Sequence, residues 1–491
     1  MGAAEQTRFD ALLAPTSIAL IGASEDATSL SGLPLHVLRQ HGYGGAIYPV
    51  NPRHRQVGGL RCYASIGEVP GPVDLAVIAV RAALVPELVE QCAAAGARSA
   101  VVLSSGFAEE SPDGAQAEAK LAAIAASSGM RILGPNAEGF FNVSRSIPVS
   151  FSPTVDFDRG LNRLIPGNVA IVSESGGLGF ALFHSAQQAG FGTSYVVSTG
   201  NEADLDALEV ATHLVEDAGT GVVALLVEGF RRPELLSPLA RRAEQLGKAL
   251  VVAKIGQSPS GRRGAAAHTA HDSEDHGELA AVCARYGVVA VADQDELLDV
   301  CFALSRHQPV PGHRVAVVTV SGGAGVWLAD ACEAVGLSVP LLSDELQQQL
   351  RPLMPSYGSA QNPVDATAQV VSREGVAAVL RVLCRCDEVD AVVVATSLAG
   401  PQMLQREEAA IAEVLAHTTK PVLIYSYTRP GDVSIDVVGR LGLPWYPSPV
   451  RSARALRCLL TGPDRPAGPG DQRPSAAARA KISASSAPES R

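Results

Sequence analysis

Aromatic residues supply only 4% of this 491-residue chain, and no run of apolar residues reaches the roughly 20 needed to cross a bilayer. Neither a membrane span nor a membrane partner is expected. The first residues, MGAAEQTRFDALLAPTS, lack the basic start and apolar centre of a signal peptide. Gln6 stands where a myristoylation start would carry Ser or Thr. Lysine is scarce, at positions 120, 248, 254, 420 and 481, and the formal net charge of -11 argues against a nucleic-acid partner. Zinc spacings are missing too: Cys384 and Cys386 form a lone CxC, and the other six cysteines are scattered through apolar patterns. Reduced thiols and a cytoplasmic protein without a bound metal are the expectation. There is no GxSxG elbow and no assignable Ser-His-Asp set. The loop after the first strand reads Gly-Ala-Ser-Glu-Asp-Ala-Thr, without the GxGxxG an ordinary NAD site needs.

What the chain does have is strand-like apolar sequence, with 47% hydrophobic residues and enough length for about three domains. Short apolar runs alternate with helical patterns, which predicts parallel sheets covered on both faces. In the first block these runs are 17–21, 46–50, 74–80, 99–103 and 131–133, with a helix over 85–95. Four of the five end in small or polar residues: Gly22-Ala23-Ser24, Asn51-Pro52-Arg53, Ser104-Ser-Gly106 and Gly134-Pro-Asn136. Ligands of such sheets bind beyond the carboxyl ends of the strands, where these tips lie. A second block starts near Gly167, with strands at 169–172, 221–227 and 249–253. A third has strands at 315–318, 390–394 and 421–425.

The second and third blocks open alike. Ser175, Gly176, Gly177, Gly179 and Gly190 match Ser321, Gly322, Gly323, Gly325 and Gly336 at one constant offset, as a duplicated flavodoxin-like domain would. The domains are therefore set at 1–145, 146–308 and 309–462. Residues 463–491 form a Pro-, Ala- and Ser-rich tail without apolar periodicity, expected to be disordered.

Three places could carry chemistry. The Ser175-Gly176-Gly177 turn, at a strand-to-helix junction, can hold a phosphate through free backbone N–H groups, or can simply pack. Glu228, followed by glycine at the end of an apolar strand, is either solvated or aimed into a site. His268 follows Ala265-Ala266-Ala267 on an expected loop after strand 249–253, where it could be a nucleophile, a base, a phosphoryl acceptor or a surface residue.

Several stretches in order, IALIGAS at 18–24, GYGGAIYPVNPR at 42–53, RILGPN at 131–136, VAIVSESGG at 169–177, STGN at 198–201, VEG at 227–229 and GAAAHT at 264–269, resemble the nucleoside-diphosphate-forming acyl-CoA synthetases. The resemblance runs from about Phe9 to Thr461. It implies a Rossmann-like CoA-binding domain followed by two flavodoxin-like domains of the succinyl-CoA-synthetase type. It further implies that His268 carries a phosphoryl group, with Glu228 as its partner. By the same resemblance Ser175, Gly176 and Gly177 hold phosphate, and Gly22, Ala23, Ser24, Asn51, Pro52, Arg53 and Asn136 contact CoA.

There are three departures from the family pattern. Its HTGSLAG reads HTAHDSED here, its GPNC reads GPNA, and no ATP-grasp module follows. The expected reaction joins a small carboxylic acid, short-chain or aromatic such as ferulate, to CoA. ATP with Mg²⁺ would drive it through an acyl phosphate, and a separate ATP-grasp subunit would handle the nucleotide in an oligomer. The alternative from another class is a CoA-sensing scaffold that kept the fold and lost the chemistry.

Overall fold

The computed structural model describes residues 3–268, 276–368 and 375–461, with the backbone alone for 3–7, 265–268 and 276–278. The tail at 463–491 lies outside the described residues. The described residues fall into two compact units: 3–188 with 192–291, and 189–191 with 292–461.

The first unit contains two large sheets, besides a two-stranded ribbon of Gln56–Val57 and Leu60–Arg61. Strands β1 (Ser17–Ile21), β2 (Ala46–Val50), β3 (Leu75–Ile78), β4 (Ser99–Val102) and β5 (Arg131–Leu133) form a parallel sheet in the order β2-β1-β3-β4-β5. These runs are rich in Val, Ile, Leu and Ala because both faces are covered. Alternate residues divide between two cores. Ile18, Leu20, Leu75 and Val77 face one, and Ala19, Ile21, Ala76 and Ile78 the other. Helix α1 (Val85–Ala94) covers the second face, burying Val85, Val89 and Cys92.

The chain then enters the second sheet as an antiparallel hairpin, β6 (Gly139–Asn142) and β7 (Ile147–Ser150). Five parallel strands follow: β8 (Pro166–Ser173), β9 (Thr193–Ser198), β10 (Val222–Val227), β11 (Ala249–Lys254) and β12 (Val289–Val291). Their order is β12-β11-β10-β8-β9, with β6 paired to β9 and β7 outermost. Helix α2 (Gly176–Ala189) leaves β8 directly after the glycine turn. Helix α3 (Pro259–His268) follows β11.

In the second unit, β13 (Val315–Thr319), β14 (Val364–Asp365), β15 (Ala391–Thr396), β16 (Val422–Ser426) and β17 (Trp445–Tyr446) stack in the order β14-β13-β15-β16-β17. Helix α4 (Gly322–Ala334) leaves β13 as α2 leaves β8. The parallel strands of the three large sheets thus share one order, in which the first strand is flanked by the second and third. The connection reverses direction there, and this leaves a crevice at the carboxyl ends. No helix among the described residues is long and apolar enough to cross a membrane.

One sequence expectation needs correction. The segment before His268 is not a loop after β11 but α3, with His268 as its last residue. Ser258 starts that helix: its Oγ accepts the N–H of Gly261 at 3.0 Å, and Pro259 occupies the first turn. The alanines that suggested a tight loop are good helix formers.

Candidate active site

The glycine turn after β8 owes its shape to close approaches. Ser173 Oγ donates to the Ser175 carbonyl at 2.6 Å, and the Gly179 N–H returns to the same carbonyl at 3.0 Å. A β-carbon on Gly179 would lie 2.8 Å from Ser173 Cβ, so helix and strand pack here only around glycine. Gly177 is exposed with open space around it. The first N–H groups of α2 have no helical carbonyl to bond, and together with the helix dipole they favour an anion.

The copy of this turn after β13 repeats the geometry. Thr319 Oγ1 donates to Ser321 O at 2.6 Å and Gly325 N–H to Ser321 O at 3.1 Å. A β-carbon on Gly325 would meet Thr319 Cγ2 at 2.6 Å.

Around the first turn stand carboxyl groups that the sequence analysis did not single out. Glu174 Oε2 accepts the N–H of Glu228 at 2.7 Å, and the N–H of Gly229 also donates to this carboxyl group. Burial, reinforced by the negative charge of Glu202, holds the Glu174 carboxyl well above the usual range. Glu202 is itself buried at φ +61° and accepts from Thr199 Oγ1 and Ala207 N–H, both at 2.8 Å. Burial and the nearby Asp206 push its pKa up to about 8. Arg231 donates to the Glu202 carbonyl. Glu138, also raised by burial, lies so close to the turn that a β-carbon on Gly176 would be 2.6 Å from Glu138 Cβ. Backbone in sparsely populated conformations and perturbed carboxyls concentrate at functional sites. Only a position-by-position comparison of the two repeats could have exposed Glu174, since Val320 stands at its place in the copy.

The expected CoA residues gather at the tips of the first sheet. Gly22 (φ +91°) takes a conformation that side chains rarely adopt, and a β-carbon there would lie 2.5 Å from the Ala79 carbonyl oxygen. Asn51 Nδ2 donates to Ala23 O at 3.0 Å, and Asn51 Oδ1 accepts the Arg53 N–H at 3.0 Å, so the first two tips are tied together. Ser24 Oγ caps the next turn through the Asp26 N–H at 3.1 Å. Pro52, Arg53 and Asn136 are exposed.

Asn136 sits on the segment that joins this crevice to the phosphate turn. Its Nδ2 donates to Asn201 Oδ1 at 3.2 Å, Asn201 N–H donates to Pro135 O at 2.9 Å, and Glu138 N–H donates to Ser198 Oγ at 3.1 Å. These bonds and contacts therefore link Asn136, the Ser175–Gly177 turn and the Glu228 turn. His268 enters as the last backbone position of α3; its side chain, like Thr269 and His271, lies outside the described residues.

Comparison with known proteins gives this linkage its context. Residues 16–142 match a CoA binding domain, 166–304 a succinyl-CoA ligase like flavodoxin domain, and 315–436 a ligase-CoA domain. The chain is 31% identical over 458 residues to the alpha subunit of acetate–CoA ligase (ADP-forming) II of Pyrococcus furiosus, covering 92% of this chain and 97% of the relative. It is 33% identical over 462 residues to a trans-feruloyl-CoA synthase of an unknown prokaryotic organism, where the match takes 92% of this chain but only 64% of that longer protein. Among solved structures, the acetyl-coenzyme A synthetase 1 of Ca. Korarchaeum cryptofilum in complex with phosphate and ADP superposes with a TM-score of 0.79 at 29% identity. That match covers 97% of this chain and 98% of the other. The chain belongs to the nucleoside-diphosphate-forming acyl-CoA synthetases, a family of acid–thiol ligases.

Proposed function

We propose that the chain forms an acyl-CoA thioester from a small carboxylic acid through an acyl phosphate and a phosphohistidine at His268. The observation that carries this reading is the linkage itself. The Asn136 tip of the expected CoA crevice lies on the same segment as Glu138, which packs against Gly176, and both residues are hydrogen-bonded to the 198–201 loop. A thioester held over the first sheet and an anion held at α2 are thereby neighbours.

In the synthetic direction, ATP gives its γ-phosphoryl group to the His268 imidazole and ADP leaves. The carboxylate of the acid then takes the phosphoryl group, and the histidine is restored. The CoA thiol attacks the acyl carbonyl, loses its proton, and phosphate departs with the C–O bond. The α2 N–H groups would stabilise the phosphoryl oxygens, and Glu228 would accept one ring N–H of the imidazole, leaving the other nitrogen free to attack and balancing the positive charge that develops on the ring. Mg²⁺ would accompany the nucleotide. A separate ATP-grasp subunit fits a chain that matches an alpha subunit along nearly its whole length, and the working enzyme would be an oligomer. Acetate and ferulate derivatives, named for the two relatives, define the substrate classes to try.

The test runs the phosphate half in reverse, which needs no ATP-grasp chain. The protein is incubated with labelled inorganic phosphate, Mg²⁺ and either acetyl-CoA or feruloyl-CoA. Acid-labile, base-stable label on the protein is expected with one thioester, and none on His268→Ala. CoA binding without label from any thioester would leave the sensing scaffold as the correct reading; label persisting in His268→Ala would remove that histidine from the mechanism.

A further inference from the structure

Resting on that reading, we infer that Glu174 is a positioning residue, which couples the phosphate turn to the Glu228 turn. It lies between Ser173, the last residue of β8, and Ser175, the first of the glycine turn, and it grips the neighbouring strand twice. Its own N–H donates at 3.1 Å to the carbonyl of Leu226, the penultimate residue of β10. Its carboxyl group accepts the N–H groups of Glu228 and Gly229 just beyond that strand. The two elements proposed to meet at the transferred phosphoryl group are thus tied by a single residue, beyond the pairing of β8 with β10.

The second unit supplies the internal comparison. There the same turn forms with Val320 at this place, and Val320 N–H donates to Ala395 O at 3.3 Å, as Glu174 N–H does to Leu226 O. The hydroxyl-to-carbonyl bond, the returning glycine N–H and the tight glycine packing are all present in that copy. The turn therefore needs no carboxyl group in order to fold. A glutamate in this place nevertheless bears the cost of standing near two more, Glu202 and Glu228, with Asp206 and Arg231 adjoining Glu202. Like charges so placed raise one another's proton affinity. The carboxyl group adds only its hold on the Glu228 turn and its charge beside Glu228. Both bear on phosphoryl transfer rather than on the fold.

The test compares Glu174→Val, which copies the second unit, with Glu174→Gln, which keeps an oxygen for the two N–H groups but no charge. The labelling reaction above is followed at several pH values and thioester concentrations. In Glu174→Val the rate of label incorporation should fall roughly ten- to a hundredfold, the range for losing a group that orients a functional one, with KM for the thioester little changed. Glu174→Gln should recover part of the rate, and its pH–rate limb should move to lower pH because a like charge has been taken from beside Glu202 and Glu228. A wild-type rate and pH profile in Glu174→Val would overturn the inference. Should that variant not fold, an unchanged profile and rate in Glu174→Gln would overturn it alone. His268→Ala serves as the control: label surviving there is a failure of the underlying phosphohistidine reading, distinguishable from a failure of the Glu174 assignment.

Discussion

Gly200 lies so close to Pro135 that a β-carbon on it would sit 2.3 Å from the Pro135 carbonyl oxygen. That carbonyl already accepts the N–H of Asn201 at 2.9 Å, and Gly200 itself has φ +61°. Both the conformation and the contact thus demand glycine. Gly200→Ala should destabilise the protein by about 2 kcal/mol or more, from backbone strain added to a steric clash. Because the displaced backbone carries Asn136, CoA affinity should fall in parallel. Calorimetric titration of CoA beside thermal unfolding checks this; a variant with native stability and native affinity would contradict it.

The three glycines of the phosphate turn should respond differently. Nothing lies within 4 Å of a β-carbon on Gly177, whereas one on Gly176 meets Glu138 and one on Gly179 meets Ser173. Gly177→Ala should keep native stability within about 0.5 kcal/mol. Gly176→Ala should weaken phosphate capture, since Glu138 or the helix start must shift. Gly179→Ala should lower the melting temperature most, because both partners belong to the packed strand and helix. Phosphate-dependent labelling and thermal melts of the three variants separate these outcomes.

Glu202 links pH to stability. Its carboxyl group titrates near pH 8 in the folded protein against an ordinary value of 4.5. Between these values the folded state holds a proton that the unfolded state has released. Stability contributed by this group is therefore present at low pH and lost as pH rises toward and through 8. The melting temperature should fall from pH 6 to pH 8.5, and Glu202→Gln should flatten that dependence. An equally steep decline in the variant would assign the effect to other groups.

In the second unit, Arg451 holds Asp299 through two bonds of 2.6 and 2.7 Å, and the Asp299 side chain is only 8% exposed. Burial still raises the Asp299 pKa despite that partner. Arg451→Ala should cost about 3 kcal/mol by leaving a carboxylate buried without its guanidinium. Arg451→Ala paired with Asp299→Leu should recover much of it, measured by denaturant unfolding.

Most of the parallel strands were legible as continuous apolar runs, and the turns at 22–24 and 175–177 as the small polar residues that end such runs, but β9 and the short strands β12, β14 and β17 were not assigned. The hairpin at 139–150 was not. GFFN and IPVS are four residues each, too short for a period of two to stand out, and their partner β9 was not assigned as a strand either. The helix ending at His268 was missed because its small residues were read for their size rather than their helix preference. Glu174 escaped because its meaning depends on Glu228, 54 residues further on, and no local pattern carries that pairing.

The β6–β7 hairpin has a consequence for how the molecule can be made and divided. It is synthesised before every parallel strand of the second sheet, so β9 meets a waiting hydrogen-bonding partner as it leaves the ribosome. A fragment begun at residue 166, where the flavodoxin-like match starts, would carry β9 with a bare row of amides along its flank. Such a row invites another chain to fill it, and that fragment should aggregate through this edge, which β6 keeps paired in the longer protein.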